Sequence, residues 1–412
     1  MKKWFVLAAG LVLQTVLGGI YAWSEFAVVL AADFGLSQAS CGAIFGVTIA
    51  AFAVATIPAG WVLQKQGPGR TAIFGSALFM AGYLLASFSQ GDFSVLLASF
   101  GLLIGIGTGF AYVCPLTVGM KWFPDNRGLI TGVAVAGFGG GAILMSNVSE
   151  YLLLHAGYDL MGLFRFIGLV FGGMALLAAS ILAEPEADHQ SEVSQNAFSA
   201  LSDILTKNFA LIFAGMFTGT FSGLLIIGNI KAIMLKAGLG ELDATSAISL
   251  FAAGNILGRI AWGQLHDKFG SRRIILAAGS LLAASMAMLL AEMPGRVSLL
   301  VVPLIGAAFG GCFVIYAATV IEKFGADKFV RLYPVVFFAY GLAALVGPTL
   351  GGLIADRTGS FSYGILVAVV VVVLNLAVFA RFFSESRDCC SDCAESDDSL
   401  RACPTCKKPR FA

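Results

Sequence analysis

The chain has 412 residues, of which 58% are apolar and only 12% charged. Soluble domains carry about 25% charged residues, so this composition excludes a soluble globular protein and points to one that crosses a membrane many times. A formal net charge of +1 leaves no electrostatic footprint for nucleic acid.

A span needs about 20 apolar residues. Windows of that length predict an all-α membrane protein with twelve transmembrane helices, at 4–30, 40–62, 71–89, 93–119, 129–153, 161–183, 208–232, 244–265, 273–291, 298–320, 332–353 and 361–383. The first apolar run is too long for a signal peptide and lacks a cleavage site, so it reads as a span. With a cytoplasmic amino terminus, nineteen of the 25 Lys and Arg residues fall in cytoplasmic segments. That excess predicts both ends inside. The polar linker 184–207 separates an amino-terminal six-helix half (1–183) from a carboxy-terminal one (208–383), and a Cys-rich cytoplasmic tail occupies 384–412.

In the first span, Tyr21 and Glu25 are four residues apart and share a helix face. Glu25 is the only carboxylate well inside a predicted span. Burial disfavours a bare carboxylate, which makes Glu25 a candidate proton carrier; the other reading is a solvated carboxylate at the outer rim. After span two comes Gly60-Trp-Val-Leu-Gln64-Lys-Gln-Gly67-Pro-Gly-Arg70, and after span eight Gly263-Gln-Leu-His-Asp267-Lys-Phe-Gly270-Ser-Arg-Arg273, some two hundred residues later. The chain repeats itself weakly.

Span eight holds a charge that a membrane helix does not tolerate without a partner. The stretch 244–262 is apolar or small except for Arg259. Arg at the centre of a membrane helix costs about 2.5–3.5 kcal/mol or more, and it stays protonated. It either reaches the cytoplasmic surface by snorkelling or meets an anion, for which a carboxylate substrate is the candidate. Gly254 and Gly258, four apart, form a small-x-x-x-small face for close helix packing.

Several segments carry a family resemblance. The two glycine-framed loops resemble the G-x-x-x-D-x-x-G-x-R-[RK] signature of the major facilitator superfamily. The second copy is complete, whereas Gln64 stands where the first should have Asp. Lys121-Trp-Phe-Pro-Asp-Asn-Arg127-Gly, followed by Ala136-Gly-Phe-Gly-Gly-Gly141, resembles a segment of the oxalate–formate antiporter and monocarboxylate transporter branch. Asn255-Ile-Leu-Gly-Arg259 and Gly347-Pro-Thr-Leu-Gly351, continuing to Asp356, match that branch's eighth and eleventh spans.

The resemblance implies two six-helix halves around a midplane site, with Arg259 as the ligand of the substrate anion. It places Tyr21, Tyr112, Phe138, Phe309, Phe313 and Asn255 around the cavity. It also puts Asp267, Arg273, Gln64, Arg70 and Arg127 in a cytoplasmic gate. The oxalate–formate antiporter adds a Lys in span eleven, where Tyr340 stands here, and no Lys or Arg occurs between Leu332 and Asp356. One fixed cation matches one carboxylate, and a second anion would go unpaired in low dielectric.

Cys390, Cys393, Cys403 and Cys406 form C-x2-C-x9-C-x2-C. Four thiolates could hold structural zinc, or the tail could stay reduced and unliganded. No nucleotide-binding loop is present, so ATP drive is not expected. The expectation is a non-enzymatic secondary transporter in a bacterial-type cytoplasmic membrane, monomeric or weakly oligomeric, with lipid around it. Its partners would be a short monocarboxylate of the lactate or pyruvate class and a proton. An anion exchanger of the oxalate–formate type and a non-transporting carboxylate sensor are the alternatives.

Overall fold

In lipid every backbone N–H and C=O must be satisfied within the chain, and a sequence this apolar meets that demand with helices. The computed structural model describes residues 2–124, 127–185, 203–291 and 295–383. Among them are eleven helices long and apolar enough to cross a membrane.

One of the eleven, Gln38–Ala86, has 49 residues. At 1.5 Å per residue it is more than twice as long as a hydrocarbon core of about 30 Å. Gly67 breaks it, with φ 80° and ψ 168°, in the positive-φ region that a residue without Cβ adopts freely. Gly270 ends the helix Glu241–Phe269 with φ 75° and ψ 167°. These are the matching glycines of the two loop copies, and they bend the chain identically.

Helix packing repeats as well. A Cβ on Gly105 would lie 2.5 Å from the Thr48 carbonyl oxygen, and one on Gly109 would lie 2.7 Å from that of Phe52. Some two hundred residues later, Gly306 meets the Phe251 oxygen at 2.1 Å and Gly310 the Asn255 oxygen at 2.2 Å. Gly254 and Gly258 complete the second contact against Pro303 and Ala307. The small residues let backbones touch, as their spacing predicts.

The first span is interrupted. Lys2–Gly18 and Trp23–Phe34 are α-helical, and the tighter turn Gly19–Ala22 between them carries Tyr21. A Cβ on Gly18 would come within 1.7 Å of the Phe138 oxygen, and one on Gly141 within 2.0 Å of the Thr15 oxygen. The glycine run 137–141 thus serves a close crossing between the first span and the helix Arg127–Leu154.

The alternating direction of the helices defines two ends. Lys2, Gly67, Gly270 and Phe382 lie at the terminal end; Phe34, Gln38, Lys236 and Thr358 lie at the far end. Helices before residue 185 and those after 203 meet chiefly towards the far end. There Gly42 abuts Pro348, and Gly352 abuts Gln38. The Asp356 carboxylate accepts hydrogen bonds from the backbone N–H of Gln38 and Ala39, both at 2.9 Å. Asn147 donates to Ser249 at 3.0 Å. Among the described residues, every hydrogen bond or ion pair joining the two sets lies at the level of Arg259 or beyond it towards the far end. Among the described residues, no such bond joins the two sets at the terminal end.

Candidate functional site

Arg259 lies in the helix Glu241–Phe269, half-buried, on the face that follows Gly258. Its Nε donates to Asn255 Oδ1 at 3.1 Å, one helical turn back. Its guanidinium carbon sits 4.4 Å from the centroid of the Phe313 ring, a cation–π contact whose value grows as water is excluded. Among the described residues no carboxylate lies in ion-pair range of Arg259. The charge is held on one side by an amide and an aromatic face, and it keeps donors to offer.

The amino-terminal set contributes the opposite wall. Tyr112 lies close enough to interact with the Arg259 guanidinium through its hydroxyl. Its backbone oxygen accepts from Gln14 Nε2 at 3.0 Å. Phe138 packs edge-on against Tyr112 at 5.1 Å and against Tyr21 at 5.7 Å. The Tyr21 and Tyr340 hydroxyls share a hydrogen bond at 2.5 Å. Phe309 touches both Tyr21 and Phe313, and Phe313 touches Tyr340. The candidates Arg259, Asn255, Tyr21, Tyr112, Phe138, Phe309, Phe313 and Tyr340 therefore converge on one place, drawn from six helices.

Other residues belong to this wall and were not singled out from sequence. Phe52 stacks on Phe138 at 5.9 Å and meets Tyr112 at 5.1 Å and Phe337 at 6.5 Å. Tyr333 donates to the Phe313 oxygen at 3.1 Å, within the electrostatic reach of Arg259. Gln14 is fully buried, and its Oε1 has no hydrogen-bond partner. The loop repeat carried a signal for Phe52, because it aligns with Asn255 in the matching helix. A lone Gln in an apolar run could have been found in the same way.

Glu25 corrects the solvated-rim reading. It is 1% exposed and pairs with Lys231, Nζ to Oε1 2.5 Å. Its second oxygen accepts from Thr245 Oγ1 at 3.0 Å. Lys231 is itself only 3% exposed and also pairs with Glu241 at 3.0 Å. The reason for the correction is partnership. A carboxylate and an ammonium from different helices can be buried together at a depth neither reaches alone.

Among the described residues, the gate candidates do not pair with one another. Asp267, Arg273, Gln64 and Arg70 are exposed at the terminal end and have no hydrogen-bond or ion-pair partner among the described residues. Their neighbours pair instead. His266 Nε2 lies 2.9 Å from Ser271 Oγ, Ser271 hydrogen-bonds Glu322, and Arg272 donates to the Ala380 oxygen at 2.7 Å. Arg127 begins its helix, but its side chain, like the whole of Cys390, Cys393, Cys403 and Cys406, lies outside the described residues.

Comparison with known proteins bears on what such a site serves. The family model of the Major Facilitator Superfamily matches residues 7–333. The chain is 25% identical to the oxalate:formate antiporter of Oxalobacter formigenes over 92% of its own length and 91% of the relative's. It is 24% identical to apicoplast pyruvate carrier 1 of Toxoplasma gondii, covering 90% and 87%. Among solved structures, the xylose transporter XylE from E. coli superposes with a TM-score of 0.69 at 13% identity, over 93% of this chain and 100% of that one.

Proposed function

The chain belongs to the Major Facilitator Superfamily, and from that premise we propose that it is a secondary transporter of a short monocarboxylate, coupled to protons. The observation that carries this reading is Arg259, a planar cation with no carboxylate partner among the described residues, lined by aromatic rings from both sets of helices. A guanidinium fork binds a carboxylate through two parallel hydrogen bonds. The rings of Phe138, Phe309 and Phe313 offer the attached carbon chain a dry surface, and the phenols of Tyr112, Tyr21 and Tyr340 supply hydroxyls for a 2-hydroxy or 2-oxo group.

Charge count favours one carboxylate over two. Among the described residues, the buried cation Lys231 is already paired with Glu25 and Glu241, which leaves Arg259 to match an incoming anion. The relatives include a pyruvate carrier, which agrees with this class.

Counting the two arms of the Gln38–Ala86 helix separately gives twelve crossings, in two six-helix halves that rock about the midplane. With the terminal end cytoplasmic, as the basic residues favour, the unlatched state faces inward. Substrate bound at Arg259 from the far side would be released there, and the proton would move through Glu25. Zinc in the tail remains part of the proposal and has no role in transport.

The test is uptake of radiolabelled L-lactate by proteoliposomes, with and without an inside-alkaline pH gradient, for wild type and Arg259→Ala. Gradient-driven uptake that the substitution abolishes supports the reading. A second reading, anion exchange, is favoured by the likeness to an oxalate:formate antiporter. It predicts uptake only into vesicles preloaded with unlabelled acid. Binding without flux in either format would point to a sensor.

A further inference from the structure

We infer that the Glu25–Lys231 pair is a proton-operated latch on the far end: closing that end requires Glu25 to be ionised, and opening it lets Glu25 take up a proton. The inference rests on the proposed proton coupling and assigns it to one rupture between two sets of helices.

The pair breaks unevenly. Glu25 lies in the helix Trp23–Phe34, and both of its donors, Lys231 and Thr245, come from helices of the other set. If the far end parts, Glu25 loses both at once. Lys231 keeps Glu241, which lies on its own side at 3.0 Å. The stranded group is therefore the carboxylate, not the ammonium.

Among the described residues, the other groups around Glu25 offer no replacement cation. From the helix Arg127–Leu154 it faces Glu150, 7% exposed, whose Oε1 has no hydrogen-bond partner. From the helix Gln38–Ala86, the buried Cys41 thiol donates to the Ala27 oxygen of Glu25's own helix. Arg165, on the helix Leu160–Phe166, lies over the Phe88 ring instead. A second carboxylate nearby and no second cation both favour a neutral Glu25 once Lys231 has left.

The proton balance is simple. As the far end closes, the O–H bond of Glu25 breaks and the carboxylate pairs with an ammonium already present. The proton leaves to water on the terminal side, since the far side is now shut. A proton taken at the far end is thus delivered towards the terminal end. The Asp356 carboxylate on the Gln38 and Ala39 N–H groups closes the same end without this pair, so the latch has one part proposed to titrate and one that serves as its control.

Hydrogen–deuterium exchange on the full chain in lipid nanodiscs, without substrate, tests this. The segments to follow are 38–46 and 344–356, with rates corrected for intrinsic chemistry at each pH. The closed state binds fewer protons at Glu25 than the open one, so acid should open the far end, by at most about tenfold in the opening equilibrium per pH unit. Glu25→Gln should exchange faster and show no pH trend.

Lys231→Met should reverse the trend, because Glu25 can then be buried only with its proton, and acid now closes the end. Misfolding does not produce a reversed sign. Asp356→Asn should exchange faster yet keep the wild-type trend.

An unchanged trend in Glu25→Gln, or a flat trend in wild type, overturns the latch. If the flat trend accompanies gradient-driven lactate uptake, the transport reading survives alone. If the expected trends appear while no monocarboxylate is driven by the gradient, the latch survives and the substrate reading falls.

Discussion

The hydroxyls of Tyr21 and Tyr340 meet at 2.5 Å, one from a turn that interrupts the first span and one from the helix Ala326–Thr358. Both lie within the electrostatic reach of Arg259. The contact is a seam between the two sets of helices at the candidate site itself, so whatever moves the sets apart must break it.

Tyr340→Phe leaves the buried Tyr21 hydroxyl without its partner, and such an orphan costs about 1–3 kcal/mol. The double change Tyr21→Phe with Tyr340→Phe removes both polar groups and should recover much of that loss. Thermal unfolding in detergent measures this. Equal destabilisation by the single and double variants would mean that the hydrogen bond is not what these rings contribute.

Arg259→Lys keeps the charge and loses the fork. A flexible ammonium makes one hydrogen bond where the guanidinium makes two, and it fits the Phe313 face less well. L-lactate affinity should fall by about tenfold to a hundredfold, one to two steps of 1.4 kcal/mol. An affinity within twofold of wild type would show that Arg259 acts only as a point charge.

Asn255→Asp places a carboxylate where an amide oxygen now accepts from Arg259 at 3.1 Å. The new ion pair would compete with the substrate for the same cation. The expected result is a KM raised by about tenfold or more, with recovery in Asn255→Ala, which offers no competing charge. Unaltered KM in Asn255→Asp would remove Arg259 from the binding step.

Asp267 is exposed and has no partner among the described residues, so Asp267→Asn should change stability in this state by less than about 0.5 kcal/mol. Transport should nevertheless slow, because the terminal end must latch when the far end opens, and the carboxylate favours a helix N-terminus. Asp356, which already caps Gln38 and Ala39, should show the opposite pattern, with a measurable loss of stability on Asp356→Asn. Initial uptake rates set beside melting temperatures separate the two.

Much of the site was legible because its chemistry is local. Arg259 stands out against an apolar run, Asn255 meets it one turn away, and Gly254 and Gly258 pack closely as their spacing predicts. The aromatic residues were legible only through the family likeness, since rings in apolar helices usually just pack. Tyr333 carried no such mark, and Phe52 only its register with Asn255 in the loop repeat. Lys231 was not legible for a different reason: it stands near the end of an apolar window, and its partner Glu25 lies over two hundred residues earlier in the chain.

Composition, span length and the repeated glycine-framed loop are properties of the chain itself. They determined a helical membrane protein, the glycine-framed bends at Gly67 and Gly270, and a lone cation, Arg259, inside an apolar segment. Which groups neutralise one another is a property of helices brought together from opposite parts of the chain. Only the tertiary structure decided that Glu25 belongs to Lys231 and leaves Arg259 without a carboxylate. It alone decided that Tyr21 meets Tyr340, and that Asp356 is engaged while Asp267 is not. Coulomb and hydrogen-bond partners act over a few ångströms in space, and the order of residues along the chain does not encode that proximity.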